Sequence, residues 1–201
     1  MIAIVDYGMG NLRNVRRGFA EVGYDSLVTD DPGVISHADK VVLPGVGAFG
    51  EAVRRIDARG LRAPLMEQIA KGTPLLGICL GMQLLYRSSE ESPGAVGLSV
   101  LDGEVKKFPD TLKVPHIGWN DVVASPGQML LDDAASGRCF YFVHSFYVPV
   151  SDCTIARTSY GIEFSSAVLK GKTYGVQFHP EKSQDAGLRI LRLFAEMETV
   201  P

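Results

Sequence analysis

Cysteine and histidine are scarce in this sequence, three and four among 201 residues. Cys79, Cys139 and Cys153 cannot all pair, none lies in a C-x-x-C, and the histidines are far apart. A disulfide framework or a zinc site therefore has no support, and no metal is expected. Positive charge is not in excess either. Twenty Lys and Arg against 23 Asp and Glu leave a formal net charge of −3, too little to neutralise a phosphate backbone, so nucleic acid is not an expected partner. Long hydrophobic runs are also missing. The most apolar window, residues 74–86, is broken by Gly77, Gly81 and Gln83 and falls well short of the ~20 residues a membrane span needs. The opening MIAIVDYGMGNL has no basic region and no extended apolar core, so it does not read as a signal peptide. What remains is an ordinary globular composition, 46% hydrophobic and 21% charged. At this length one domain can bury roughly 70% of the surface its unfolded chain exposes. The expectation is a single soluble domain over residues 1–201 in a reducing cytoplasm.

Short apolar runs alternate with helical periodicity through the first half. Residues 2–6 end in the turn Tyr7-Gly8-Met9-Gly10, after which Asn11 is placed to cap a helix carrying Leu12, Val15, Phe19 and Val22 on one face. Further runs occupy residues 25–29, 40–43 and 73–78, with helical text over 48–59 and 80–87. Buried runs between helices predict a parallel sheet covered on both faces. From about Gly97 the chain turns to Val-, Phe- and Tyr-rich stretches at 97–108, 114–124, 138–150, 154–159 and 161–169, read as antiparallel strands packed on the first half. A last strand is expected over 173–178. Ser183 is then placed to cap a helix whose inward stripe is Leu188, Leu191, Phe194 and Ala195.

The chemistry centres on Gly77-Ile78-Cys79-Leu80-Gly81, between a predicted strand and a predicted helix. This is the small-x-nucleophile-x-small pattern of a nucleophile elbow, a turn so sharp that side chains two positions either side would collide. It lifts the sulfur to a helix N-terminus, where backbone N–H groups favour thiolate. The Leu80 N–H then points to where an oxyanion would form. Cys139 and Cys153 lack any such setting. A base is available at the end of the last strand, in Gly175-Val176-Gln177-Phe178-His179-Pro180-Glu181. Side chains of an extended chain alternate, so His179 and Glu181 share a side, and Pro180 is expected to preserve the extension. The carboxylate can orient the imidazole. Pro44-Gly45-Val46-Gly47 leaves a neighbouring strand and can offer a second oxyanion donor.

Two motifs fail. Gly8-Met9-Gly10 suggests a dinucleotide fingerprint, but its third glycine would fall at Arg13. Gly171-Lys172-Thr173 imitates the end of a P-loop without the upstream glycines. Arg13, Arg16 and Arg17 read as a solvated helix face or as a docking patch.

Gly-Ile-Cys-Leu-Gly-Met-Gln (77–83) followed about 100 residues later by Gly-Val-Gln-Phe-His-Pro-Glu (175–181) resembles the class I, triad-type glutamine amidotransferases. Asp-Tyr-Gly-Met-Gly-Asn-Leu (6–12), Leu-Pro-Gly-Val-Gly-Ala-Phe-Gly (43–50), Pro-His-Ile-Gly-Trp-Asn (115–120) and Tyr-Phe-Val-His-Ser (141–145) are similar to the glutaminase subunits of imidazole glycerol phosphate synthase. The resemblance implies a three-layer, flavodoxin-like α/β fold, its sheet mostly parallel with antiparallel strands in the C-terminal half. It implies a Cys79–His179–Glu181 triad that hydrolyses L-glutamine through a thioester, with no cofactor. Leu80 and Val46 or Gly47 would form the oxyanion hole, and Gln83, Glu91, Ser145 and Phe146 would contact glutamine. The implied partner is a (β/α)8-barrel cyclase, which takes the ammonia and docks near Asn11, Asn14 and Trp119.

Overall fold

The computed structural model describes residues 1–131 and 138–199. The first half runs β1 (Ile2–Val5), α1 (Leu12–Glu21), β2 (Ser26–Thr29), α2 (Pro32–Ser36), β3 (Lys40–Gly45), α3 (Phe49–Ala58), α4 (Arg62–Lys71), β4 (Leu75–Cys79) and α5 (Leu80–Gln83). The second half runs β5 (Tyr86–Ser89), β6 (Leu101–Lys107), β7 (His116–Ala124), β8 (Arg138–His144), β9 (Phe146–Tyr147), β10 (Thr154–Tyr160), β11 (Ile162–Lys170), β12 (Thr173–Val176), a 3-10 turn at Pro180–Lys182 and α6 (Gln184–Glu196).

A nine-stranded sheet in the order β2-β1-β3-β4-β12-β11-β10-β7-β8 carries the molecule, and β5-β6-β9 form a smaller one. The pairs from β2 to β12 are parallel, and those from β12 to β8 are antiparallel. The antiparallel strands thus extend the same sheet, where the sequence pattern suggested a layer packed on it. The last strand, β12, makes the join by lying between β4 and β11.

Alternation along the strands creates the layers. Ile2 and Ile4 of β1, Val42 of β3 and Leu76 and Ile78 of β4 pack with Val15 and Phe19 of α1 and Ile190, Leu191 and Phe194 of α6. The intervening Ala3, Val5, Val41, Leu43 and Leu75 face Ile35 of α2, the α3 and α4 side chains and the small sheet. Both faces are therefore covered, which explains why these strands read as continuous apolar runs. No helix among the described residues is long and apolar enough to cross a membrane.

Several local expectations change. The helix foreseen over 80–87 stops at Gln83, because the chain is needed at once as β5, paired with β6 from Tyr86 to Ser89. The 138–150 run divides at Ser145 into β8 and β9, which join different sheets. Helices α2 and α4 lie where no helix was foreseen; α2 begins with an Asp31 cap whose carboxylate accepts the Gly33 N–H at 2.7 Å and with Pro32 at its first position. Asn11 occupies the position before α1 but its side chain makes no capping bond. Ile190 is buried in the α6 stripe, while Leu188 is only partly buried.

Candidate active site

β4 delivers Cys79 to the carboxyl edge of the sheet, and the turn that follows is strained. Cys79 has φ 55° and ψ −110°, a left-handed backbone that a side-chain-bearing residue rarely adopts. The residues two positions to either side must be glycine. A Cβ at Gly77 would stand 2.7 Å from the Gly81 carbonyl oxygen, and one at Gly81 would stand 1.7 Å from the Leu43 carbonyl oxygen. The elbow predicted from the sequence is present, although the helix it leads into has only four residues.

The strand beside β4 is β12, paired in parallel with Gly175 opposite Gly77 and Val176 opposite Ile78. This register brings His179 to the sulfur although 100 positions separate them. The histidine is held by its backbone: its N–H donates to the Tyr141 carbonyl at 2.9 Å, and its carbonyl accepts the Ser183 hydroxyl at 2.6 Å. Ser183 does not cap α6, because its hydroxyl is committed to His179 and also accepts the Tyr141 N–H at 3.0 Å. Pro180 does not extend the strand either. It opens the 3-10 turn, since its fixed φ suits a first helical position. His179 itself stays extended, as a residue before proline should, and the turn carries Glu181 Oε1 to 2.9 Å from His179 Nδ1. Both side chains are almost wholly buried. Burial works to lower the His179 pKa, but the nearby Cys79 and then Glu181 outweigh it and push it up to about 10; Nδ1 is bonded to Glu181, while the buried Nε2 has no hydrogen-bond partner among the described residues. The pairing favours an imidazolium beside the sulfur.

The sulfur opens on a cavity of about 470 Å³ lined by Val46, Gly47, Leu80, Gln83, Glu91, Ser145 and Phe146 among others. This volume is large enough for an amino acid. Residues 3–197 match the family model described as glutamine amidotransferase class-I. The chain belongs to the class-I glutamine amidotransferases.

Within that family the chain is a HisH relative. It is 48% identical to imidazole glycerol phosphate synthase subunit HisH of Methanothermobacter thermautotrophicus, with 98% of each chain covered. The HisH subunit of Syntrophotalea carbinolica is 47% identical over 98% of this chain and all of that one. Solved structures share the fold at lower identity. A glutamine amidotransferase crystal structure gives a TM-score of 0.76 at 17% identity, covering 97% of this chain and 100% of that one. The structure of PurLQS from Thermotoga maritima gives 0.73 at 17%, covering 96% of each chain.

The remaining residues singled out in the sequence fall into three places: the cavity, the exposed face of β7 and the surface at α1. Val46, Gly47 and Leu80 gather at the cavity with Cys79, and Gly47 has φ +92°, a conformation that favours glycine. Gln83 is buried, and its amide donates to the Phe146 carbonyl at 3.1 Å and to Gln177 Oε1 at 3.0 Å. Glu91 Oε2 accepts the Phe49 N–H at 2.7 Å, so one carboxylate oxygen anchors the start of α3 while the residue lines the cavity. Ile117 (60% exposed), Trp119 (48%) and Val46 (40%) present apolar surface, and Ile117 and Val46 are at the cavity. Asn14, Arg13, Arg16 and Arg17 lie on α1; Asn14, Arg16 and Arg13 reach the surface there with Arg17, and Asn11 is half-buried.

Sequence reasoning missed Gln177 and Tyr7 as neighbours of the sulfur. Gln177 Nε2 lies 3.7 Å from Cys79 Sγ, within reach of an N–H···S bond, while the thiol is 3.8 Å from the Val143 carbonyl. Its signal was the parity it shares with His179. Tyr7 is fully buried with its hydroxyl against Gly45, where an added Cβ would collide with it, and that hydroxyl has no hydrogen-bond partner among the described residues. Burial, aided by the charge of Cys79, pushes its pKa upward. A buried hydroxyl without a partner costs about 1–3 kcal/mol, so Tyr7→Phe is expected to raise the thermal unfolding midpoint. A lowered midpoint would mean the hydroxyl is bonded in the folded protein.

Proposed function

We propose that this chain is the glutaminase subunit of an imidazole glycerol phosphate synthase in histidine biosynthesis, acting as one cytoplasmic domain over residues 1–201. Cys79 Sγ attacks the side-chain carbonyl carbon of L-glutamine, and the carbonyl electrons move to its oxygen. The N–H groups of Leu80 and of Val46 or Gly47 receive that oxyanion. Collapse of the tetrahedral species breaks the C–N bond, and His179 gives its proton to the departing nitrogen as ammonia. Glu181 keeps the ring oriented throughout. A γ-glutamyl thioester remains. Water, giving a proton to His179, then releases glutamate and restores the thiolate–imidazolium pair. Gln83, Glu91 and the main chain at Ser145 and Phe146 hold the amino acid in place.

The observation that carries this reading is the strained Cys79 at the wall of an amino-acid-sized cavity, with a buried His179–Glu181 pair beside it. Ammonia protonates and escapes in water, so a receiving protein at the cavity's rim fits the chemistry, and we assign that role to a (β/α)8-barrel cyclase. Asn11, Asn14 and Trp119 are the contacts we assign to it. The expected result is that glutamate release from glutamine rises on adding the cyclase with its ribotide substrate, and that a glutamine-mimicking electrophile modifies Cys79 alone. Labelling of Cys139 or Cys153 with Cys79 untouched, or no glutamate release in the complex, would refute it.

A further inference from the structure

His116 and His144 face one another across the β7–β8 pair and are both buried, at 3% and 6% exposure. His116 Nδ1 lies 3.0 Å from His144 Nε2, and His144 Nδ1 lies 2.7 Å from the Phe146 carbonyl oxygen. Asn120 Nδ2 lies 3.3 Å from His116 Nε2 and donates to the Ser159 carbonyl at 2.9 Å.

The proton positions follow from the one partner whose role is fixed. A carbonyl only accepts, so His144 Nδ1 carries a proton. A neutral His144 then has a lone pair on Nε2, which requires a proton on His116 Nδ1. The lone pair left on His116 Nε2 meets the Asn120 amide. Burial keeps both rings neutral, lowering His116 to about 4 and His144 to about 3; the Phe146 hydrogen bond opposes the fall in His144, while His116 and His179 add to it. Every bond therefore points the same way, from Asn120 through His116 and His144 to the Phe146 carbonyl.

That carbonyl also accepts from Gln83, whose amide donates to Gln177, which lies beside the Cys79 sulfur. We infer that His116 is a positioning residue of the glutaminase site: through His144 it fixes the Phe146 carbonyl, the point where the substrate-facing main chain and the Gln83–Gln177 amides next to the nucleophile are tied together. The inference rests on the glutaminase reading for its kinetic consequence, but not for the relay itself.

Two substitutions separate a donor from a packing role. His116→Phe keeps a ring where the imidazole stacks on Tyr160 (centroids 4.1 Å apart) and Phe142 (5.0 Å), but leaves His144 Nε2 with no donor. His116→Asn sacrifices the stack and retains an N–H near the Nδ1 position. In the complex with the cyclase, His116→Phe is expected to raise KM for glutamine about tenfold with kcat within about twofold, the cost of one buried unmet acceptor felt in ground-state binding. His116→Asn is expected to stay within about threefold of the wild-type KM despite a lower unfolding midpoint. Nitrogen-15 spectra of the wild-type chain near pH 7 should show both imidazoles neutral with the proton on Nδ1, the tautomer less favoured in water. Wild-type KM in His116→Phe with a defect in His116→Asn would assign the residue to packing and overturn the inference. So would either ring carrying its proton on Nε2, a result that holds even if neither variant folds. A wild-type complex that releases no glutamate would overturn the glutaminase reading instead, and the tautomers would still decide the relay.

Discussion

Cys79→Ala is expected to abolish glutamine-dependent synthesis by the complex, with glutamate release falling at least about a thousandfold, while synthesis from added ammonium persists. Only the sulfur can form the thioester, and no other described cysteine is at the cavity: Cys139 is exposed and Cys153 is partly buried elsewhere. Loss of both activities would mean that the variant disturbs the receiving protein and that the nucleophile's role is misassigned. The same variant has a second readout. Burial alone lowers His179, and Cys79 contributes the first of the effects that raise it to about 10. With the sulfur gone, Glu181 opposes burial unaided and the histidine pKa must fall. The sign for stability follows. A histidine whose folded value stands above about 6.5 stabilises the fold fully below that pH, and the contribution fades as pH climbs through the folded value. Between about pH 6.5 and 10 the wild-type unfolding midpoint should therefore decline through this group, and the Cys79→Ala midpoint should lack that part of the decline. A histidine titration unmoved by the substitution would refute the imidazolium–sulfur pairing.

Gly81→Ala is expected to be the most damaging single methyl in the site. The added carbon would sit 1.7 Å from the Leu43 oxygen and 2.8 Å from its carbonyl carbon. Both belong to the backbone of β3, so no rotamer change relieves the clash. Destabilisation of about 3 kcal/mol or more is expected, read as a loss of denaturant midpoint together with activity, because separating β3 from the elbow moves Val46 and Gly47, the proposed oxyanion donors, away from Cys79. Gly23→Ala is the control. Its φ of +90° imposes strain, but nothing lies within 4 Å of the new carbon, so it should cost only about 1 kcal/mol and leave turnover intact. Equal effects of the two substitutions would mean that backbone strain, and not the approach of β3 to the elbow, explains the glycine at 81.

The parallel half of the fold was legible because β1, β3 and β4, buried on both faces, leave largely apolar runs, and the β3–α3 and β4–α5 junctions are marked by glycines. Short helices were not legible. α2 has five residues and too few turns to establish a period, and the text after Gln83 kept a helical look while tertiary pairing took it into β5. The sequence located Cys79, His179 and Glu181, since an elbow and a His-x-Glu strand end are both local patterns. It did not locate Gln177, Tyr7 or the two buried histidines as a set, because their meaning depends on which strands lie side by side. Nor could it show that Ser183 serves the backbone of His179 rather than its own helix, as both uses draw on one hydroxyl.

The placement of β12 has a consequence for how the protein is made. This late strand is not added at an edge but enters between β4 and β11, and it brings the imidazole with it. A chain emerging from the ribosome before β12 is made holds Cys79 but not His179, the residue we propose activates it. In the proposed mechanism, ammonia release therefore waits until β12 is seated between β4 and β11.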